Sequence, residues 1–272
     1  MPFSVLLSVY YKECPDFLSQ SLNSIFNQTL SPDEVVLVED GDLTPELYAV
    51  ILRYQNEYES LKTIKLSKNS GLGVALNEGL KYCSYDLVAR MDSDDISCKD
   101  RFEKQIKYFN EHPEIALLSG YIEEFDNIPT EIVSVRQVPC EYLQIKSFLK
   151  KRNAFNHMAV MFRKSAVMDS GGYQHVPYLE DHDLWIRMIQ RGYMAANLPD
   201  ILVKARIGAD MIGRRHGLGY AKHELYFLKR QLKTHFITKK EFCILVILRI
   251  PVRLLPKFLL SFIYKILRKI KR

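Results

Sequence analysis

Residues 86–95 read Asp-Leu-Val-Ala-Arg-Met-Asp-Ser-Asp-Asp, an apolar run that ends in three carboxylates within four residues. The run predicts a buried strand, and carboxylates clustered at a strand end are costly unless positive charge lies beside them. Mg²⁺ and Mn²⁺ take oxygen ligands and keep open positions for substrate phosphates. The spacing therefore predicts a metal–diphosphate site that uses Asp92 and Asp94.

A structural alternative is that these acids cap the helix predicted to follow them. Ser97 offers another cap for that helix, with Asp100 three residues further on. With Ser97 in that role, Asp92 and Asp94 have no structural task, and this favours the metal site.

Outward from this stretch, apolar runs alternate with helical patterns through the first 120 residues. This alternation predicts an α/β fold with a mostly parallel sheet flanked by helices. The predicted strands are Ser4–Val9, Val35–Val38, Thr63–Leu66, Leu87–Met91 and Ile115–Ser119.

Polar residues follow each of the first four predicted strands. Ligands of parallel sheets bind beyond the carboxyl ends of the strands, so we expect these residues to share one edge. They are Tyr10, Glu39–Gly41, Lys68–Gly71 and Asp92–Asp95. Asp40 could accept hydrogen bonds from a base or ribose, or could form an Asx turn.

The pattern is mixed after residue 120. We predict one domain over residues 1–215 and a C-terminal helical region over 216–272, with a membrane-associating amphipathic tail over about 241–272. The elements predicted after residue 120 are strands at Ile132–Val138 and Met158–Phe162, a helix at Glu180–Arg191, a segment at Ala195–Val203 broken by Pro199, and a helix at Leu218–Leu232.

Charge, cysteine distribution and the absence of two nucleotide-binding motifs argue against several classes of protein. The net charge is +6, but residues 241–272 carry +7, which leaves the body near neutral and argues against a nucleic-acid partner. The five cysteines are scattered, which predicts a reducing cytoplasm rather than a disulfide framework. Neither G-x-G-x-x-G nor G-x-x-x-x-G-K-[ST] is present.

An ordered set of motifs resembles family 2 glycosyltransferases of the GT-A fold, over about residues 3–207. The motifs are Ser8-Val-Tyr-Tyr-Lys-Glu, Gln28-Thr29, Asp33-Glu-Val-Val-Leu-Val-Glu-Asp-Gly41, Asn69-Ser-Gly-Leu-Gly, Ala75-Leu-Asn77, Ala89-Arg-Met-Asp-Ser-Asp-Asp95 and Glu180-Asp181. The resemblance implies inverting transfer from a nucleotide sugar, usually a UDP-sugar, with Mn²⁺ or Mg²⁺.

The resemblance also implies roles for individual residues. Asp94 and Asp92 would bind metal, and Asp92 could also bind ribose. The donor-binding residues would be Ser8, Tyr10, Glu13, Asp40, Asn69, Asn77, Arg90, Asp92 and Ser93.

Inversion needs a base that deprotonates the acceptor hydroxyl. Glu180 and Asp181 open a predicted helix, where one carboxylate would suffice to complement the helix dipole. The resemblance makes Asp181 the base and Glu180 the alternative.

Cationic side chains could stabilise the departing diphosphate, and Arg206, Arg214 and Arg215 are candidates. Arg214 and Arg215 could equally belong to a solvated turn. Processive members of the family carry Q-x-x-R-W here, whereas this chain has Ile212-Gly-Arg-Arg-His216. The departure favours transfer of one sugar. His157 could line the acceptor side or be structural.

Residues 257–272 place basic side chains on one arc of a helix and mostly apolar ones opposite. Such a helix is typical of binding to an anionic membrane surface, although it could instead pack on the body or form an oligomer. Residues 242–255 are interrupted by Arg249, Pro251 and Arg253, which argues against a spanning helix.

Together these features predict a non-processive glycosyltransferase attached peripherally to the cytoplasmic face of the membrane. Its acceptor would be a saccharide linked to polyprenyl diphosphate, in surface-polysaccharide biosynthesis (O-antigen, capsule or exopolysaccharide). The alternatives are a sugar nucleotidyltransferase and a non-catalytic nucleotide-binding peripheral membrane protein. The first loop, Tyr10-Tyr-Lys-Glu-Cys-Pro15, lacks the glycine- and lysine/arginine-rich composition that a nucleotidyltransferase would need.

Overall fold

A computed structural model describes residues 1–207 and 216–255. Its elements form three layers, a twisted sheet with helices on both faces, as the alternating sequence pattern predicted. The strands are β1 (Phe3–Val9), β2 (Glu34–Glu39), β3 (Leu61–Lys65), β4 (Leu87–Arg90), β5 (Ile96–Ser97), β6 (Ile115–Phe125), β7 (Ile132–Arg136), β8 (Met161–Arg163) and β9 (Met194–Arg206).

The helices connect these strands and extend beyond the last of them. They are α1 (Pro15–Phe26), α2 (Pro45–Glu57), α3 (Leu72–Tyr82), α4 (Arg101–Glu111), α5 (Tyr142–Leu149), α6 (Lys164–Asp169), α7 (Glu180–Gln190), α8 (Gly217–Lys233) and α9 (Lys239–Leu254). A short 3₁₀ turn covers His157–Ala159, so the strand predicted over 158–162 is reduced to β8.

The first half of the sheet is parallel, in the order β3-β2-β1-β4. Each connection is a helix that crosses a face of the sheet, which is how parallel strands must be joined. The carboxyl ends of these four strands therefore meet at one edge, and the prediction that their polar residues converge there is confirmed.

The second half of the sheet is mixed. β8 is antiparallel to both β4 and β6, and β9 runs parallel to β6 over its whole length. The predicted break at Pro199 is wrong, because β9 continues past it. The register jumps from Leu198 opposite Gly120 to Ile201 opposite Tyr121, so Pro199 and Asp200 form a bulge that needs no ladder hydrogen bond.

Alternate residues of the central strands point into two separate cores. On one face, Leu6 and Val36 pack with α3, α7 and Trp185. On the other face, Val5 and Val35 pack with α1, α2 and α4. Period-two alternation on strands buried on both faces explains why the runs are almost wholly apolar in sequence.

The C-terminal helices pack on the body. Phe227 of α8 and Leu245 of α9 belong to the same core as Trp185. The helix predicted over 218–232 is confirmed, whereas the proposed domain boundary at 215 and the amphipathic segment 257–272 lie outside the described residues. In the described part of the chain, no helix is long and apolar enough to cross a bilayer.

Candidate active site

The loops that follow β1 and β4 are joined at the shared edge. Ser93 Oγ donates to Glu13 Oε2 at 2.5 Å, and the other carboxylate oxygen of Glu13 accepts from the Cys14 amide at 2.8 Å. Tyr10 lies beside this link with 41% of its surface exposed. Polar side chains next to an exposed aromatic ring suit contact with a planar base and a ribose.

Asp40 lies at the end of β2 and organises the loop after β3. Its two carboxylate oxygens accept from the amides of Ser70 and Gly71 at 2.7 and 2.9 Å. Gly41 has φ +86°, and a Cβ there would lie 2.6 Å from the Asn69 amide nitrogen. Asp40 therefore holds this loop in place, and a base-binding role for Asp40 or Asn69 stays a prediction.

Three carboxylates converge at the end of β4. One ligand oxygen from each of Asp92, Asp94 and Asp95 can be chosen so that all lie within 4.8 Å of one another. Arg90, which is buried, donates to Asp92 through Nη1 at 2.6 Å and also through Nη2. The bidentate pair orients Asp92, and Asp94 forms no ion pair with any described residue.

The charges of this cluster are incompletely balanced. Burial, with the charges of Asp92 and Glu13, raises the pKa of Asp94 to about 7. Burial, with the charges of Asp92 and Asp94, raises the pKa of Asp95 well above its usual value. Like charges held close in a shielded site favour protonation unless a cation binds.

This donor set fits a divalent cation. All three ligands are carboxylates, and oxygen donors suit Mg²⁺ and Mn²⁺. Arg90 Nε is buried without a hydrogen-bond partner among the described residues, so the cluster also retains donor capacity. A metal-binding role for Asp94 and Asp92 in particular stays a prediction.

The prediction that Ser97 caps the following helix is wrong. Ser97 lies in β5, and Asp100 occupies the N-cap position of α4 without a side-chain cap bond. The Ser97 amide instead donates to Ser24 Oγ at 2.9 Å. The short strand β5 pairs with β9, and this pairing takes the backbone that a cap would need. Asp92–Asp95 nevertheless remain outside the helix.

Arg206 supports the cluster from the end of β9. Its amide donates to Asp95 Oδ1 at 2.7 Å, and its Nε donates to the Asp94 carbonyl at 3.1 Å. The guanidinium lies 3.7 Å from the ring centroid of Phe17 and 4.6 Å from that of Phe125. Its contact with a diphosphate stays a prediction, and Arg214 and Arg215 lie outside the described residues.

Glu180 and Asp181 form the first turn of α7, as the sequence predicted. Burial, with the charge of Asp181, raises the pKa of Glu180 to about 7, and burial also raises the pKa of Asp181. Arg90 opposes both shifts. Arg90 thus pairs with Asp92, and its charge also acts on the pKa of both candidate bases, which indicates that the strand-end cluster and the start of α7 lie near each other.

Asp183, the third acid in this turn, has a structural role. It accepts from Arg187 at 2.8 Å and from Arg230 of α8 at 3.0 Å. These ion pairs attach α8 to α7. Asp181 faces elsewhere and has no ion pair with a described residue, which separates it from Asp183.

Asn153 and Arg136 were not anticipated from the sequence. Asn153 Nδ2 donates to Asp181 Oδ2 at 2.6 Å, and the His182 amide donates to Oδ1 at 2.7 Å. Arg136 Nη2 donates to the Asn153 carbonyl at 3.0 Å and its charge lowers the pKa of Asp181. These contacts fix the carboxylate, and no motif marks either residue.

Tyr173 closes the other side of the site. Its backbone exchanges two hydrogen bonds with the Asn77 side chain, at 2.7 and 2.8 Å, and its hydroxyl lies 2.9 Å from His157 Nε2. Burial and the charge of Arg90 hold the pKa of His157 well below its usual value, so the imidazole is neutral. Asn77 positions a loop here, and a donor contact for it, and for half-buried Ser8, stays a prediction.

Comparison with solved structures identifies the fold. The S. aureus TarS fragment 1–349 bound to UDP-GlcNAc superposes with a TM-score of 0.65 at 19% identity, over 90% of this chain and 70% of that one. A Pyrobaculum calidifontis mannosyltransferase bound to GDP-Man and Mn²⁺ superposes with a TM-score of 0.64 at 17% identity, over 91% and 68%. The chain has the GT-A glycosyltransferase fold.

The sequence comparisons define the family. The model of glycosyl transferase family 2 matches residues 4–169, and the chain belongs to this family. It is 45% identical to the amylovoran biosynthesis glycosyltransferase AmsE of Erwinia amylovora, over 98% of this chain and 99% of that protein. It is 39% identical to an Escherichia coli UDP-Gal:α-D-GlcNAc-diphosphoundecaprenol β-1,3-galactosyltransferase, over 97% and 95%.

Proposed function

We propose that this protein is a metal-dependent, inverting glycosyltransferase that moves one sugar from a UDP-sugar to a hydroxyl of a lipid-linked saccharide. The observation that carries this proposal is the position of Arg90 near two carboxylates. Arg90 donates to Asp92, and its charge also lowers the pKa of Asp181. This observation supports a single site that contains both the proposed donor anchor and the proposed base. The two full-length relatives, named for polysaccharide synthesis and for a diphosphoundecaprenol acceptor, support the pathway and the acceptor class.

In this reaction Asp181 accepts the proton of the acceptor hydroxyl. The hydroxyl oxygen forms a bond to the anomeric carbon on the face opposite the diphosphate, and the bond from that carbon to the diphosphate oxygen breaks. The anomeric configuration inverts and UDP leaves. The contacts from Asn153 and the His182 amide keep Asp181 oriented for this step.

A divalent cation held by Asp94 and Asp92 would neutralise charge on the leaving diphosphate. Arg90 keeps Asp92 in position, and Asp95 is held by the Arg206 amide. The Mn²⁺ complex of the P. calidifontis enzyme supports divalent metal use in this fold. We also propose that the protein attaches peripherally to the cytoplasmic face of the membrane through residues 241–272.

The test is transfer by the purified full chain. UDP-galactose and other UDP-sugars are offered with a GlcNAc-diphosphate-lipid acceptor, with Mn²⁺ or with EDTA. We expect UDP release and one added sugar with inverted anomeric configuration by NMR. Retained configuration, equal rates with EDTA, or pyrophosphate instead of UDP would contradict the proposal, and the last would indicate a nucleotidyltransferase.

A second measurement in the same experiment distinguishes an enzyme from a protein that binds the nucleotide sugar without turnover. A non-catalytic nucleotide-binding protein would bind the UDP-sugar with the same affinity but release no UDP at any acceptor concentration. Conversion of the acceptor to a product one hexose heavier excludes that alternative. A ladder of longer products would contradict transfer of a single sugar.

A further inference from the structure

The outward face of α9 is apolar over three turns. Ile247 is 70% exposed and Leu248 is 63% exposed, and Ile244 and Leu254 are about half exposed. Pro251, also exposed, lies between them, so one side of the helix presents a continuous apolar strip. We call these five residues the α9 strip. A contiguous apolar surface of this kind marks an interaction site.

Arg249 and Arg253 of the same helix face inward, toward α8. Glu224 of α8 has no exposed surface, and Arg253 Nε pairs with it at 2.7 Å while Arg249 pairs with its other oxygen. Nearer the start of α9, Glu241 pairs with Lys150 at 2.9 Å. The arginines that interrupt this segment in sequence therefore do not interrupt the α9 strip, which carries no charge.

The α9 helix lies against the loop that holds the base. Arg249 Nη1 donates to the Lys151 carbonyl at 3.2 Å, and Glu241 pairs with Lys150. Asn153, two residues after Lys151, donates to Asp181. One loop therefore connects α9 to Asp181.

We infer that the α9 strip inserts into the interfacial region of an anionic bilayer. Charge complementarity selects this occupant, because the exposed Lys239 and Lys240 begin the helix and residues 256–272 hold six Lys or Arg and no acid. Apolar side chains bordered by basic ones are typical of interfacial helices. The inference rests on the proposed lipid-linked acceptor, because insertion of the α9 strip would bring Asp181 near the membrane surface that holds such an acceptor.

The test measures binding of the full chain to vesicles by co-sedimentation, without nucleotide. The vesicles contain phosphatidylcholine alone or with phosphatidylglycerol. Leu248→Glu and Ile247→Glu place a carboxylate in the strip, and Leu52→Glu on α2, at a position 58% exposed, is the matched control. We expect each strip variant to weaken binding to anionic vesicles about tenfold, and the control to change it less than twofold.

Unchanged vesicle affinity in both strip variants would overturn the inference. It would also be overturned if light scattering showed the variants to dissociate a dimer while vesicle affinity stayed constant, because a second copy would then cover the strip. Transfer to a water-soluble acceptor should be unchanged in both variants. If no acceptor is glycosylated but the strip variants still weaken vesicle binding, the proposed sugar transfer fails and the membrane-binding surface stands.

Discussion

Replacing Asn153 by alanine tests how the chain prepares Asp181 to act as a base. Burial raises the pKa of Asp181, and hydrogen bonds from the His182 amide and from Asn153 lower it. A hydrogen bond to a charged acceptor contributes about 1.5–3 kcal/mol. Since about 1.4 kcal/mol corresponds to a tenfold change in an equilibrium, loss of the Asn153 contact should raise that pKa and lower the ionised fraction of Asp181 about 10- to 100-fold at low pH.

The readout is the acid limb of the pH profile of kcat/KM, which reports the base in the free enzyme. The hydrogen bond favours the charged carboxylate, so its loss moves the limb to higher pH. Below the limb we expect Asn153→Ala to lose about 10- to 100-fold in kcat/KM, and above it the two profiles should converge. Asn153→Asp keeps the shape but adds a negative charge, so its limb should move further.

The control is Asn27→Ala, because among the described residues the Asn27 side-chain amide donates to Asn23 of α1 alone. It should leave the limb in place. A uniform fall in kcat/KM for Asn153→Ala at every pH, with no movement of the limb, would show that Asn153 serves folding alone. A profile of Asn153→Asp identical to the wild type would refute the electrostatic argument.

Two further predictions concern stability. Glu224→Gln leaves two arginines facing a neutral, buried amide, and we expect it to lower the free energy of unfolding by about 3 kcal/mol in urea denaturation; a change below about 0.5 kcal/mol would contradict this. Burial raises the pKa of Glu34, but hydrogen bonds from Lys62, Ser4 and Ser84 outweigh burial and lower it to about 2. The pKa of Glu34 is lower in the folded state than in the unfolded state, so the ionised carboxylate stabilises the fold fully above about pH 5. That stabilisation is lost as the pH falls from about 4.5 to 2. Glu34→Gln should therefore destabilise the protein by about 1–2 kcal/mol at pH 7, allowing for screening around the half-exposed Lys62, and by less at pH 4. A difference that does not shrink at low pH would contradict the assignment.

The parallel half of the sheet follows from sequence because its signals are local. Each strand is an apolar run, each crossover helix repeats its apolar residues, and polar residues mark each strand end. Topology then brings those ends together, as the Glu13–Ser93 hydrogen bond and the Asp40 contacts illustrate. The order of the strands was not predicted, because the crossover from β3 to β4 passes over β2 and β1 and does not join neighbouring strands.

Features that depend on partners distant in sequence could not be predicted. Whether Ser97 caps a helix depends on the pairing of β5 with β9, more than 100 residues away. The continuity of β9 past Pro199 depends on a bulge opposite Gly120. Helical periodicity places Arg249 and Arg253 on α9, but only the buried carboxylate of Glu224 turns them inward.

The same limit applies within the site. Asp181 could be predicted from the motif that it shares with Glu180. Asn153 could not, because it donates to Asp181 from a loop that has no sequence pattern. A side chain that orients a base leaves no signature in one sequence, because its role exists only in three dimensions.

The most direct test of the central claim is the donor affinity of two variants, measured by calorimetry with and without Mn²⁺. If Asp94 anchors the metal and Asp181 is the base, Asp94→Asn should weaken Mn²⁺-dependent UDP-sugar binding by about tenfold or more. Asp181→Asn should bind the donor within about twofold of wild type and lose transfer by about 10²–10⁴-fold. Equal loss of donor affinity in the two variants, or full transfer by Asp181→Asn, would contradict this division of roles.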